Sequence, residues 1–246
     1  PRLFELLGWE GGRGVKRFEH TAMTEGAPVL SVRDLHFPAL PPMTFDIRRG
    51  EIAFLRDENY NTGRRLHECF LGDRGWTSGF FRLNGRLYQP GDLGRVIGSE
   101  IGIQIERPDR PGGVLFDNMT ALDNLCTSLI PKAGQHIIRK KIVSSILSEA
   151  LRWFPKEMLL QPLSSWSYPE RLRFSYYRWY LLNPRLLICF FPFAGQESTH
   201  HKMIIDLLVL CAQRGMAVWI ISSGIDAICE KTDNEEFLRR LHYLNK

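Results

Sequence analysis

Apolar and polar positions alternate with a period of two in several segments of the first third of the chain. Residues 29–37 (VLSVRDLHF) alternate throughout, which predicts a half-buried strand. Residues 43–57 repeat the pattern on either side of Arg49-Gly50, so we expect a hairpin or a strand-turn-strand unit there. Residues 79–88 predict a hairpin with Asn84-Gly85 at its turn. This part of the chain is therefore expected to contain antiparallel β structure.

Before residue 184, a helical pattern replaces this alternation in three segments. Apolar residues recur three and four positions apart in residues 63–72 and again over most of residues 119–160. Residues 169–183 predict a helix that begins at Pro169 and ends before Pro184, because proline is accepted in the first turn of a helix and not in its interior.

Two runs of consecutive apolar residues in the last third of the chain predict buried strands. They are RLLICFF (185–191) and AVWIISS (217–223). Between them, residues 201–215 have helical spacing, and Gly215 is expected to close that helix. A strand, a helix and a second strand, with both strands apolar throughout, indicate a parallel sheet covered on both faces. The predicted fold class is therefore α/β.

Composition adds mainly exclusions to this picture. Of 246 residues, 44% are hydrophobic, which is enough for the core of one large α/β domain or two small ones. The net charge of +5 is spread along the chain, which indicates solvated surface, and no nucleic-acid partner is expected. The five cysteines include no Cys-x-x-Cys pair, as is typical of a reducing compartment. No apolar run reaches the roughly 18 residues of a membrane span.

Residues 1–28 are expected to be a leader or an interdomain linker. They are rich in glycine and charge and have no sustained period. Because the first residue is Pro1 and not methionine, we expect the sequence to be a piece of a longer protein.

Three segments in this order carry a resemblance to a known family. They are IGIQIERPDRPGGVLFDNMTALDNL (101–125), RWYLLNPRLLI (178–188) and GMAVWIISSGIDAI (215–228). With VLSVRDLHF, FDIRRGEIAFL and FRLNGR upstream, the chain resembles the ATP-binding cassette of ABC transporters over roughly residues 29–233. Pro108-Asp109-Arg110 and Ser222-Ser223 are most similar to the second cassette of the fused double-cassette ATPases of bacterial monosaccharide importers.

The resemblance implies an ABC-type P-loop NTPase fold. Such a fold has a mostly parallel core sheet with helices on both faces, an N-terminal antiparallel β subdomain and a helical subdomain. Here the cassette would span residues 29–246, with the helical subdomain at about 119–168.

Partners and location also follow from the resemblance. The expected partners are a second ATP-binding cassette, in the same chain or in a dimer, and a membrane permease subunit. The domain would be cytoplasmic and peripheral at the inner face of the cell membrane. Arg107, Asp109 and Arg110 are the candidates for contact with the permease.

The phosphate loop of the family, G-x-x-x-x-G-K-[ST], is altered in this chain. The aligned stretch is DENYNTGRRL (57–66), in which Asp57 takes the place of the first glycine. A shift of one residue recovers Gly63-Arg64-Arg65, with Arg64 in the role of the lysine, but no hydroxyl follows for the metal. Two interpretations stay open: a weak anion site at Gly63, Arg64 and Arg65, or a capped helix start with solvent-facing arginines.

The pair of acids that the family places after the core strand is missing. Where the family has L-D-E-P, this chain has Cys189-Phe190-Phe191-Pro192. A phenyl ring can neither ligate a hard cation nor accept a proton. Glu197 lies a few residues further on but could not replace both acids. No catalytic residue and no Mg²⁺ site are therefore expected.

Two further family positions can be placed on this sequence. Ser167-Tyr168-Pro169 aligns with S-G-G of the signature motif, of which only Ser167 survives. Pro169 lacks an N–H donor that phosphate capture at a helix start requires. Phe37 is placed to stack on adenine, and the alternative is a phenylalanine of the core or of a hairpin.

The sequence therefore predicts a degenerate cassette of a sugar-type importer. Its site would bind ATP weakly at most, would not hydrolyse it, and would serve as a structural or regulatory partner to an active cassette. One alternative is an active ATPase with atypical motifs. Another is a stand-alone regulatory or scaffolding pseudo-ATPase.

Overall fold

Two β-sheets form the framework of the larger part of the chain. The computed structural model describes residues 26–106, 115–133, 140–194 and 198–244. Within these, the chain divides into a larger unit, residues 26–106 with 172–244, and a smaller helical unit, residues 115–171. The first sheet is antiparallel, with the order β2-β1-β4-β5, and the second is parallel, with the order β6-β7-β8-β3-β9. The predicted α/β class with antiparallel β structure near the front is confirmed.

The strands are β1 Leu30–His36, β2 Met43–Ile47, β3 Ile52–Arg56, β4 Ser78–Leu83, β5 Arg86–Tyr88, β6 Ile101–Ile105, β7 Leu186–Phe190, β8 Ala217–Ser222 and β9 Leu241–Tyr243. The helices of the larger unit are α1 Asn61–Leu71, α2 Pro90–Leu93, α7 Ser198–Gln213, α8 Asp226–Cys229 and α9 Glu235–Arg240. The helical unit contains α3 Ala121–Ala133, α4 Lys140–Ala150, α5 Lys156–Leu159 and a 3₁₀ turn at Leu163–Ser165. Helix α6, Tyr168–Leu182, begins there and belongs to the larger unit from Leu172 onward.

The turn at Gly50 separates the two sheets, so the hairpin interpretation of residues 43–57 is wrong and the strand-turn-strand interpretation is right. Strand β2 pairs with β1, whereas β3 pairs in parallel with β8 and β9. Four consecutive residues of β3, Ile52 to Leu55, are buried, as expected of a parallel strand covered on both faces. Gly50 has φ +75°, a backbone region that favours glycine.

The predicted hairpin at Asn84-Gly85 is confirmed. These two residues have φ +48° and +77°, and β4 pairs with β5 on either side of them. Two consecutive positive φ values are those of a type I′ turn, for which Asn-Gly is the preferred sequence.

The core of the larger unit lies between the two sheets and helix α1. Phe45 of the antiparallel sheet and Trp219 of the parallel sheet have ring centroids 5.1 Å apart. From α1, Leu66, Cys69 and Phe70 contribute buried side chains to the same core. This packing holds the start of α1 next to the carboxyl ends of β3, β7 and β8, which is where the altered phosphate loop and the positions of the missing acids lie.

The helical unit is built on the segment predicted to be helical between residues 119 and 160. Asn124 fastens the chain before α3, because its side chain accepts from the Phe116 N–H at 2.8 Å and donates to the Phe116 and Thr120 carbonyls at 3.0 Å. None of the helices in the described ranges has the length and apolar character that a membrane span requires.

Candidate nucleotide site

A short loop joins β3 to α1 in the place of the phosphate loop. Strand β3 ends at Arg56 and α1 begins at Asn61, so four residues, 57–60, make the connection. A strand, a loop and a helix start in this order present backbone N–H groups to an anion. What those N–H groups contact therefore decides what the site can hold.

The carboxylate of Asp57 occupies two of these N–H groups. Its Oδ2 accepts from the Gly63 N–H at 2.7 Å, and its Oδ1 accepts from the Thr62 N–H at 3.2 Å. Asp57 is only 5% exposed, so its carboxylate is held inside the loop. The first N–H groups of a helix have no partner within the helix, and a carboxylate satisfies them as a phosphate would.

The loop is also attached to the end of the neighbouring strand β8. The Asp57 N–H donates to the Ser222 carbonyl at 2.9 Å. The guanidinium of Arg56 pairs through Nη2 with Asp226, beyond the end of β8. Its Nη1 lies 3.6 Å from a carboxylate oxygen of Glu58. The loop conformation is thus maintained by contacts within the chain itself.

Phe190 and Phe191 fill the space where the family has its acids. Phe190, the last residue of β7, is 1% exposed, and its ring centroid lies 5.6 Å from that of His67 on α1. Phe191 turns towards the loop with φ +53°, and its ring centroid lies 4.7 Å from that of Tyr60. A Cβ atom placed on Gly63 would lie 2.7 Å from Cζ of Phe191, so this ring packs directly against the first turn of α1.

The three predicted anion-binding residues are neighbours in the chain but do not converge on one point. The Gly63 N–H is bonded to Asp57. Arg64 is exposed, and the guanidinium of Arg65 lies 3.2 Å from Glu68 one turn along α1. The weak anion site at Gly63, Arg64 and Arg65 stays a prediction.

Phe37 lies in the core of the larger unit, with 1% of its surface exposed. It borders a cavity of about 260 Å³, which is also lined by Pro38, Arg65, Arg74 and Gly75. Stacking on adenine requires an accessible ring face, and this ring is covered by its neighbours. Its role in adenine binding stays a prediction.

Ser167 caps helix α6 in the helical unit. Glu170 Oε2 accepts from both the Ser167 N–H at 2.8 Å and the Ser167 hydroxyl at 2.6 Å. Because Ser167 directly precedes the helix and Glu170 is its third residue, the pair forms a variant of the capping box. The spacing Ser-x-x-Glu was the signal for this cap, and it also explains why α6 begins at Tyr168 and not at Pro169.

A buried polar cluster that sequence reasoning missed lies where β6 meets α6. Gln104 has no exposed surface; its side-chain amide donates to Glu106 at 2.6 Å and to the Ser175 hydroxyl at 3.0 Å, and its oxygen accepts from the Trp179 indole at 2.8 Å. The signal was present in the sequence, since one polar residue, Gln104, interrupts the apolar strand β6 and a second, Glu106, follows it at a spacing of two.

Several predicted contacts cannot be placed. Arg107, Asp109, Arg110 and Glu197 lie outside the described residues. Within the described ranges, no group of three His, Cys, Asp or Glu side chains is arranged to hold a metal ion.

Comparison with other sequences gives a consistent set of relatives. No protein-family model matches the sequence. The chain is 26% identical over 212 residues to a putative ribose/galactose/methyl galactoside import ATP-binding protein of Pseudomonas syringae pv. tomato, covering 85% of this chain and 40% of that protein. It is 24% identical to the fructose import ATP-binding protein FruK of Bifidobacterium longum, in a match that covers 97% of this chain and 48% of that protein. The chain therefore spans less than half the length of these curated relatives.

Solved structures share the fold. The TM-score is 0.67 with cbiO1 from Clostridium perfringens, part of the ABC transporter complex cbiONQ, at 19% identity over 89% of this chain and 85% of that one. The TM-score is 0.62 with the dimeric ATP-binding cassette MJ0796 in a post-hydrolysis state bound to ADP and Pi. That match has 16% identity and covers 88% of this chain and 94% of that one. The chain thus has the fold of the ATP-binding cassettes of ABC transporters, and its sequence is homologous to the ATP-binding proteins of sugar importers.

Proposed function

We propose that this cassette belongs to a bacterial sugar-type importer, has a nucleotide site that does not hydrolyse ATP, and acts as a structural or regulatory partner to an active cassette. The observation that carries the proposal is the position of Phe191, whose ring packs on Gly63 in the first turn of α1, beside the place where a triphosphate would lie. The proposed cassette spans residues 29–246, with a helical subdomain at about 119–168.

The chemistry of hydrolysis supports this proposal. In-line attack on the γ-phosphate needs a metal ion to neutralise charge and an acceptor that orients the water. Phe190 and Phe191 offer neither, and the buried carboxylate of Asp57 adds negative charge beside the expected position of the phosphates. The loss of such groups costs several kcal/mol of transition-state stabilisation. ATP and Mg²⁺ therefore do not fit the loop as it stands.

The names of the relatives support the proposed setting. The proteins of Pseudomonas syringae and Bifidobacterium longum are both import ATP-binding proteins, and each is more than twice as long as the segment that matches. A second cassette, in the same polypeptide or in a dimer, and a membrane permease are the proposed partners. Docking on a permease would place the domain at the cytoplasmic face of the membrane.

Nucleotide titration and phosphate release test the proposal. The purified chain is titrated with a fluorescent ATP analogue and Mg²⁺, and released phosphate is then measured with ATP. We expect no release above the protein-free blank and binding no tighter than about millimolar, equivalent to about −4 kcal/mol. Micromolar binding with turnover would instead favour an active ATPase with atypical motifs.

A matched pair of arginine variants tests whether any turnover arises at this site. Arg64→Ala removes the guanidinium that aligns with the family lysine. Arg95→Ala removes an exposed guanidinium elsewhere, with 82% of its side chain accessible. Turnover lost in the first variant and retained in the second would contradict the proposal. Equal, blank-level release from all three proteins would support it.

A further inference from the structure

We propose that Asp57 is an internal substitute for phosphate, which closes the loop and excludes external polyphosphates. The inference rests on the proposed non-hydrolytic function and names the group that prevents binding. The absence of the two acids by itself would prevent hydrolysis but would still allow the loop to bind nucleotide. The geometry at Asp57 argues that binding is blocked as well.

The carboxylate engages the loop with both oxygens. Oδ2 accepts from Gly63 and Oδ1 from Thr62, at 2.7 and 3.2 Å. Both donors lie in the first turn of an eleven-residue helix, whose dipole favours a negative charge at this end. A phosphate would use the same donors, so the two anions compete for one position.

This contact is more than ordinary capping of a helix. The residue directly before α1 is Tyr60, which has φ +57° and whose side chain makes no capping hydrogen bond among the described residues. The acceptor comes instead from Asp57, three positions further back in the loop. The loop is thus folded around its own carboxylate.

Surrounding contacts keep the carboxylate in place. The backbone N–H of Asp57 donates to the Ser222 carbonyl at 2.9 Å, and the Phe191 ring covers the adjacent Gly63. The charge of Arg56, the residue before Asp57, is not available to a second anion, because its guanidinium is already paired with Asp226 and lies near Glu58. An incoming phosphate would have to displace a buried, covalently tethered competitor.

The experiment compares two loop variants with the unaltered chain. Asp57→Ala removes the internal anion and leaves Phe191, whereas Phe191→Ala opens space and leaves the anion. Inorganic pyrophosphate is titrated without metal, and binding is followed by calorimetry and by the backbone amide signals of Thr62 and Gly63. We expect Asp57→Ala to bind pyrophosphate at least about tenfold more tightly than the unaltered chain, with saturable shifts of both amides, because charge-assisted hydrogen bonds to those amides become available.

Each outcome decides between the internal anion and its alternatives. Binding in Phe191→Ala but not in Asp57→Ala would overturn the proposal and assign the block to the aromatic ring. Equal affinity in all three proteins would also overturn it.

A second variant covers the case in which Asp57→Ala does not fold. Asp57→Asn keeps an acceptor of the same shape without its charge, and pyrophosphate is expected to raise its melting temperature but not that of the unaltered chain. No increase in the folded Asp57→Asn protein would count against the proposal.

The proposed function fails separately from this inference. If the unaltered chain releases phosphate from ATP, the non-hydrolytic function is wrong. If it releases none and Asp57→Ala still binds no pyrophosphate, only the internal-anion inference is wrong.

Discussion

The ring of Phe191 packs against Gly63 so closely that a methyl group on the glycine would lie 2.7 Å from Cζ of the phenylalanine. The two residues come from opposite sides of the site, one after β7 and the other in the first turn of α1. In the family that this chain resembles, one position supplies an acid and the other approaches phosphate. Here they contact each other, so a packing interaction takes the place of a ligand.

Replacing Gly63 by alanine should therefore destabilise the fold. The added Cβ would meet the Phe191 ring and come within 3.1 Å of Oδ2 of Asp57. Overpacking of this kind costs about 1–3 kcal/mol, so urea unfolding should show a lower midpoint with an unchanged slope. An empty phosphate loop, open to solvent at Gly63, would tolerate the methyl group.

Gly94→Ala provides the control for this variant. Gly94 has φ −56°, and no described atom lies within 4 Å of the position that its Cβ would take. Its unfolding free energy should stay within about 0.5 kcal/mol of the unaltered chain. Equal stability of both variants would contradict the packing described for Phe191.

Restoring the missing acids should not create an ATPase. The double variant Phe190→Asp, Phe191→Glu supplies the carboxylates, but the Asp57 carboxylate still holds the Gly63 and Thr62 N–H groups. Phosphate release should remain at the level of the blank. The Phe190 position is 1% exposed, so an aspartate there should lower the unfolding free energy by about 3 kcal/mol or more.

The single variant Phe191→Glu reduces that cost, since Phe191 is only partly buried. The variant Phe191→Leu serves as its uncharged control. Turnover in either acidic variant, absent from Phe191→Leu, would show that the loop can still hold ATP.

Most of the fold could be predicted from the sequence because its signals are local. The apolar runs of β7 and β8, the turn at Asn84-Gly85 and the helix ended by Pro184 each depend on neighbouring residues. The hairpin interpretation around Gly50 was wrong because pairing is not local. The apolar and polar pattern of β2 and β3 cannot reveal that β2 pairs with β1 in one sheet and β3 with β8 in the other.

The candidate site was less predictable for the same reason. Substitution of the acids by Phe190 and Phe191 is visible in the sequence, but the ring packing on Gly63 depends on the positive φ of Phe191. Asp57 is likewise visible in the sequence as the residue in the place of the first glycine of the phosphate loop. The hydrogen bond from the Gly63 N–H to the Asp57 carboxylate depends on the left-handed turn at Tyr60, which no residue type in the loop predicts.

The stability of the antiparallel sheet should depend on pH through Asp46. This carboxylate accepts from Arg33 at 2.6 Å and from the Ser31 hydroxyl at 2.7 Å, and the Arg33 hydrogen bond is the main cause that lowers the pKa of Asp46. A pKa lowered by folding means that this stabilisation is complete above the ordinary value of about 3.9 and is lost as pH falls through the folded-state value.

The variant Asp46→Asn measures this contribution. At neutral pH it should be less stable by about 0.5–1 kcal/mol, because the pair is partly exposed. The difference from the unaltered chain should shrink as urea unfolding is repeated down to about pH 2.5, below the ordinary pKa. The exposed carboxylate of Asp92, 3.4 Å from Arg95, is the control, and Asp92→Asn should stay within about 0.5 kcal/mol throughout. A loss independent of pH would contradict the ion-pair account of Asp46.

A comparison of two buried tryptophans of the larger unit separates the contribution of a hydrogen bond from that of packing. The Trp179 indole donates to Gln104 at 2.8 Å, whereas the Trp219 indole nitrogen has no hydrogen-bond partner in the part of the chain that the structure describes. Replacement by phenylalanine removes similar volume at both positions. At Trp179 it also leaves the Gln104 oxygen without this donor, which costs about 1–3 kcal/mol for a buried group.

We therefore expect Trp179→Phe to lower the unfolding free energy more than Trp219→Phe, by about 1–2 kcal/mol. Adding Gln104→Leu to each variant completes a double-mutant cycle. The coupling energy should be about 1 kcal/mol or more with Trp179 and close to zero with Trp219. Equal coupling at both tryptophans would mean that the indole hydrogen bond contributes nothing to the attachment of α6 to β6. Gln104 would then be held by Glu106 and Ser175 alone.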